Sequence, residues 1–171
     1  MSADACFGKL VVYGVGLIGG SFALGLKAAG AVERVVGVGR SRTNLEEARR
    51  AGAIDRIDTD DEHALADADL VLLAMPVGQM GPVMARIAPF IGAATIVTGA
   101  GSTKRDVVAL ARKHLPRSFA RFVPAHPIAG AERSGAAAAR ADLFRERHLI
   151  ITPQAETDAQ AIDRVRSAWE I

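Results

Sequence analysis

The stretch Lys9–Ser21, KLVVYGVGLIGGS, decides the fold. An apolar run from Leu10 to Tyr13 ends at Gly14. Gly14, Gly16 and Gly19 then follow at G-x-G-x-x-G spacing and lead into LIGGSFALGLKAAG, which has helical periodicity. Strand, tight turn and helix in that order bring main-chain N–H groups to a helix N-terminus, where Cβ atoms would otherwise block a dinucleotide pyrophosphate. Gly14 makes the turn, Gly16 admits the phosphates and Gly19 lets the helix pack on the strand. A purely structural glycine turn is the competing reading, and the flanking strand and helix favour dinucleotide binding.

Composition agrees with that start. With 171 residues and 50% hydrophobic content the chain can bury one substantial core, so one domain is the expectation. Its 21 basic and 19 acidic residues are spread along the chain, and a net charge of +2 makes no basic footprint, so no nucleic-acid partner is expected. The single cysteine, Cys6, has no partner within the chain, which suits a reducing compartment. Residues 1–8 lack the layout of a signal peptide and no apolar run approaches the roughly 18 residues of a membrane span. A soluble cytoplasmic protein without a membrane partner is the expectation.

Short apolar runs alternate with helix-like segments along the rest of the chain, which predicts an α/β fold: a doubly wound, Rossmann-type, mainly parallel sheet with helices on both faces. The first helix should end at Gly30 and a strand should cover Arg34–Val38. Thr43 with Glu46 reads as a capping box, and Gly52 closes that helix. A short strand within Ile54–Thr59, a brief helix near Glu62–Ala66 and a buried strand Leu70–Ala74 follow. Next come a helix over Pro82–Phe90, a strand Thr95–Thr98, a helix from Thr103 to His114 and a strand Arg121–Ala125. HPIAGAERSG is loop-like, Ala136–Phe144 is alanine-rich and reads as helical, His148–Thr152 is a strand and Asp158–Trp169 a helix.

Ligands on such sheets sit outside the carboxyl ends of the strands, here Gly14, Gly39-Arg40, Met75-Pro76, Gly99–Ser102 and His126. The expected cofactor set is Gly14, Gly16, Leu17, Ile18, Gly19, Arg40, Ser41, Met75 and Pro76. About 20 residues after the glycine turn, where an acid commonly binds the ribose 2′-hydroxyl, stands Gly39, followed by Arg40, Ser41 and Arg42. That favours NADP over NAD, unless the arginines are only solvated residues ahead of a helix. In GAGSTK, Ser102 and Lys104 sit at a strand-to-helix junction, where a serine is commonly just an N-cap. His126 ends an apolar strand just before a proline at the ligand edge, whereas His63, His114 and His148 lie in polar surroundings. A neutral imidazole there can take a hydroxyl proton while hydride leaves the same carbon. No metal site is expected.

GVGLIGGS at 14–21, GSTK at 101–104, and HPIAGAERSG followed by LF at 143–144 resemble the prephenate/arogenate dehydrogenases of tyrosine biosynthesis, over essentially the whole chain from Lys9. The resemblance implies an enzyme that passes hydride from the hydroxyl-bearing ring carbon to NADP or NAD as the ring carboxylate leaves as CO2. It further implies that His126 accepts the hydroxyl proton, that Ser102 hydrogen-bonds near it, and that Glu132 lies beside the substrate pocket; Lys104, a cation in the GSTK stretch, is a further substrate-side candidate. The full-length protein would be a homodimer.

Three departures accompany the resemblance. Gly99 stands where the family commonly has an aspartate, and Ala131 where some members have threonine. The family also has a second, all-helical domain that forms the dimer and binds substrate carboxylates, and this chain reads as the first domain alone. Alternatives are another hydride-transferring enzyme of this fold, such as a β-hydroxyacid dehydrogenase or a pyrroline-carboxylate-type reductase, or a non-catalytic nucleotide-sensing module.

Overall fold

β1 (Phe7–Tyr13) is buried on both faces, and its period of two divides the core. Leu10 and Val12 belong to one hydrophobic cluster, while Val11 and Tyr13 belong to the other. The computed structural model describes residues 7–130 and 134–171. Within them the order is β1, α1 (Leu17–Ala28), β2 (Val32–Val38), α2 (Arg42–Arg50), β3 (Arg56–Ile57), α3 (Asp61–Leu65), β4 (Leu70–Leu73) and α4 (Val77–Ile87). β5 (Ile96–Gly99), α5 (Lys104–His114), β6 (Phe122–Pro127), β7 (Leu149–Ile151) and α6 (Ala159–Trp169) complete it.

The strands form one sheet in the order β3-β2-β1-β4-β5-β6-β7, parallel except for β7, which runs antiparallel to β6. Side chains of α1, α2 and α6 pack in one cluster with Leu10 and Val12, and those of α3, α4 and α5 in the other with Val11 and Tyr13. This is the doubly wound architecture expected of the sequence. Its crevice falls between β1 and β4, where successive connections part in opposite directions.

Most elements lie where the sequence puts them. Gly30 (φ +65) and Gly52 (φ +78) terminate α1 and α2 in the left-handed conformation. The amide after each glycine reaches a carbonyl five residues back, Ala31 to Leu26 and Ala53 to Ala48, both at 2.9 Å.

Four expectations are corrected. The cap of α2 is Ser41, whose Oγ accepts from the amide of Asn44, so Thr43 and Glu46 form no capping box. Glu46 pairs instead with Arg42 and Arg49. α4 begins directly after Pro76 and carries Pro82 inside it, five residues beyond its first residue. β6 runs through His126 to Pro127, because β7 supplies an antiparallel partner out to Pro127↔Leu149. Ala136–Phe144 is not a helix: only Ala136–Ala138 forms a 3₁₀ turn, and Ala139 is extended. There the Ala136 amide donates to Asn44 Oδ1 (2.9 Å) and the Arg140 amide to Ser21 Oγ (3.0 Å), so docking on α1 and α2 outweighs alanine's helix propensity.

Candidate functional site

A groove of about 650 Å³ opens at the switch point, lined by the turn after β1, by Gly39–Ser41 after β2 and by Ala74–Pro76 after β4. Each glycine of the turn has a separate steric cause. Gly14 sits at φ +89, and a Cβ there would come within 2.9 Å of the Ala74 and Met75 backbone. A Cβ on Gly19 would lie 2.5 Å from the Gly14 carbonyl and 2.8 Å from Val12, so the helix can sit on the strand only with glycine. At Gly16 a Cβ would meet nothing within 4 Å. The emptiness lies over the start of α1, where the first-turn N–H groups, including those of Leu17 and Ile18, have no intrahelical acceptor. Free donors, the positive end of the helix dipole and open space together fit the pyrophosphate of a dinucleotide.

The ribose corner is equally defined. Gly39 is not demanded by its backbone, since a Cβ would stand 3.5 Å from Leu45, an ordinary contact. The backbone would therefore accept a side chain there, and no acid is present. Arg40 and Ser41 line the groove. Arg42 instead donates from Nε and its guanidinium to Glu46 Oε1 at 3.1 and 2.9 Å, so the solvated reading holds for this arginine. Arg40 is exposed and has no ion pair among the described residues.

Across the sheet, His126 lies half-buried in β6, opposite Ile150. Its Nδ1 is 3.3 Å from the carbonyl of Ala100, in the turn after β5. A carbonyl only accepts, so Nδ1–H donates to it and Nε2 keeps its lone pair, the tautomer a proton acceptor needs. A depression of about 350 Å³ adjoins the ring, bounded by Pro127–Gly130 and Arg147. Ser102, two residues beyond Ala100, is exposed, and the N-cap of α5 is Thr103 rather than Ser102. Lys104 opens α5, and its side chain lies outside the described part of the structure, as does Glu132 with its neighbours Ala131 and Arg133.

Several groove residues escape sequence reading. Gln79, Val83 and Arg86 follow helical spacing along α4 and face the groove, one residue offset from the buried stripe Met80, Met84 and Ile87. Starting that helix at Pro82 cuts Gln79 off the one stripe and Met80 off the other. Arg86 and the Tyr13 hydroxyl both donate to Asp61, and burial with that hydrogen bond holds the Tyr13 phenol far above its ordinary pKa. Asn44 joins two distant backbone groups, donating from Nδ2 to the Val15 carbonyl in the glycine turn (2.5 Å) and accepting from Ala136. Among the described residues no group of three or more His, Cys, Asp and Glu side chains is arranged to hold a metal, and no helix is long and apolar enough to cross a membrane.

A glycine turn at the switch point of a 3-2-1-4-5-6 parallel sheet defines a dinucleotide-binding domain. The chain belongs to the prephenate dehydrogenase family, whose nucleotide-binding-domain model matches residues 22–171. The glycine turn at 14–19 lies before that match and is supported by its own geometry. Over 164 residues the chain is 37% identical to a cyclohexadienyl dehydrogenase of Zymomonas mobilis, covering 96% of this chain and 55% of the relative. Among solved structures it resembles a prephenate dehydrogenase of Aquifex aeolicus in complex with hydroxyphenyl propionate and NAD+, with TM-score 0.88, 29% identity and coverage of 95% and 56% of the two chains. It also resembles an arogenate dehydrogenase of Synechocystis, with TM-score 0.85, 27% identity and coverage of 95% and 57%. The chain spans about half the length of the curated relatives it matches.

Proposed function

We propose that this chain carries the cofactor and the base of an oxidative decarboxylation in tyrosine biosynthesis, acting on prephenate or arogenate. The observation that carries the reading is His126: its ring is oriented by the Ala100 carbonyl so that Nε2 can take a proton beside an open depression. A nicotinamide cofactor held in the groove at the glycine turn would supply the hydride acceptor. As hydride leaves the ring carbon bearing the hydroxyl, the hydroxyl proton passes to Nε2. The bond to the ring carboxylate then breaks, CO2 departs, and the electron pair flows through the ring to the oxygen, which regains its proton from His126 as the ring becomes aromatic. The one base thus serves in both directions.

We further infer that NADP is preferred, because Gly39 presents no carboxylate to repel a 2′-phosphate and Arg40 is available to pair with one. Ser102, Lys104 and Glu132 complete the substrate side in this reading.

The test is stoichiometric. A version of the protein as long as its relatives, given prephenate or arogenate, should release one CO2 for each nicotinamide reduced. Reduction without CO2 release would instead support an ordinary hydroxyacid dehydrogenase.

A further inference from the structure

We infer that Asn44 is a positioning residue for the phosphate-binding turn: it holds the Val15–Gly16 peptide in the conformation a dinucleotide needs, braced by the segment that follows the His126 loop. This rests on the proposed function above, in which the groove takes a nicotinamide dinucleotide. Asn44 lines that groove, and both ends of its carboxamide are committed to backbone. The Val15 carbonyl only accepts and the Ala136 amide only donates, so one orientation satisfies both. Nδ2 faces Val15 at 2.5 Å and Oδ1 faces Ala136 at 2.9 Å.

The turn needs such a tie. Val15 stands between two glycines, and Gly16, the N-cap of α1, has no side chain with which to cap the helix. Its amide instead folds back onto the Gly14 carbonyl (3.0 Å). The peptide is planar, so a bond to the Val15 carbonyl also fixes the N–H of Gly16 and the entry of the chain into α1. A turn ordered before the ligand arrives spares the ligand that entropic cost.

The brace is seated on α1 as well. The Arg140 amide donates to Ser21 Oγ (3.0 Å), and a Cβ on Gly20 would come within 2.8 Å of the Ala139 Cβ. From α2, the Asn44 amide donates to Ser41 Oγ (3.2 Å), in the ribose corner. One residue thereby holds the turn, the ribose corner and the Ala136 segment in register.

The test sets binding against stability in a version of the protein as long as its relatives. Asn44→Ala removes both arms of the carboxamide. Asn44→Asp keeps an acceptor for Ala136 and puts a carboxylate in the first turn of α2, where the helix dipole favours it, but loses the donor to Val15. In thermal unfolding the Asp variant should therefore be no less stable than the Ala variant. Calorimetric titrations should give the opposite order. Asn44→Ala should weaken NAD and NADP alike, roughly three- to tenfold, one hydrogen bond's worth, and Asn44→Asp about tenfold more, because its charge faces the phosphate site. Variants that rank alike in both measurements would mean that Asn44 serves only the fold, and that result overturns the inference. Parent-like affinity in both variants, or a loss confined to NADP, overturns it too, while the proposed function stands. An unmodified protein that binds neither NAD nor NADP overturns both.

Discussion

At the scale of single residues, the glycines of one motif separate into those the fold needs and one the ligand needs. Gly16→Ala places a methyl group in open space at an unstrained backbone (φ −106), so the variant should unfold at the same temperature as the parent yet bind dinucleotide at least tenfold more weakly. Gly19→Ala drives a methyl group into the Gly14 carbonyl, and thermal unfolding should show a loss of several kcal/mol, as overpacking of a close contact does. If the two behave alike, the division of roles is wrong. The cofactor's identity is also a residue question. Arg40→Ala should weaken NADP about ten- to a hundredfold and leave NAD nearly unchanged, and Gly39→Asp, which the backbone accommodates, should reverse the preference in calorimetric titrations. Equal losses for both cofactors would refute the 2′-phosphate reading. His126 and the glycines were legible in the sequence because their neighbours announce them. Gln79 was not, since its place in the groove depends on α4 starting at Val77, ahead of Pro82.

At the scale of elements, periodicity carried the strands and most helices, and the errors share a cause. Ala136–Phe144 has the composition of a helix, but its amides are taken up by Asn44 and Ser21, which lie 92 and 119 residues from their donors in the sequence. Thr43 and Glu46 have the spacing of a capping box, yet Ser41 two residues earlier supplies the cap and two arginines claim Glu46. Local pattern yields where a long-range partner competes. The junction of β3 and α3 gives a pH prediction. Burial pushes the Asp58 carboxyl up, but Arg56, the Asp60 amide and the neighbouring His63 ring outweigh it and hold the group below its ordinary value. A depressed acid stabilises the fold above its unfolded pKa, about 4, and that contribution is lost as pH falls through the folded value. Urea unfolding should therefore show Asp58→Asn less stable by about 1–3 kcal/mol at neutral pH, with the gap closing below about pH 4. A gap that stays constant down to pH 2 would mean that Asp58 acts by shape and not by charge.

At the scale of the whole molecule, strand order was readable as a class and not as a number. Alternating strands and helices imply a parallel sheet, whereas the reversal at β7 follows only from its pairing with β6. The groove is built wholly from residues between Tyr13 and Arg86, so the 171-residue chain should bind dinucleotide by itself, with a Kd in the micromolar range. Catalysis asks more, because base, cofactor and substrate must be held together, and positioning contributes several kcal/mol of barrier lowering. The most direct measurement is the rate of nicotinamide reduction by His126→Asn in a version as long as its relatives, with prephenate or arogenate at saturation and cofactor affinity measured alongside. Turnover should fall by roughly two to four orders of magnitude while cofactor affinity holds. Unchanged turnover would contradict the assignment of His126 as the base.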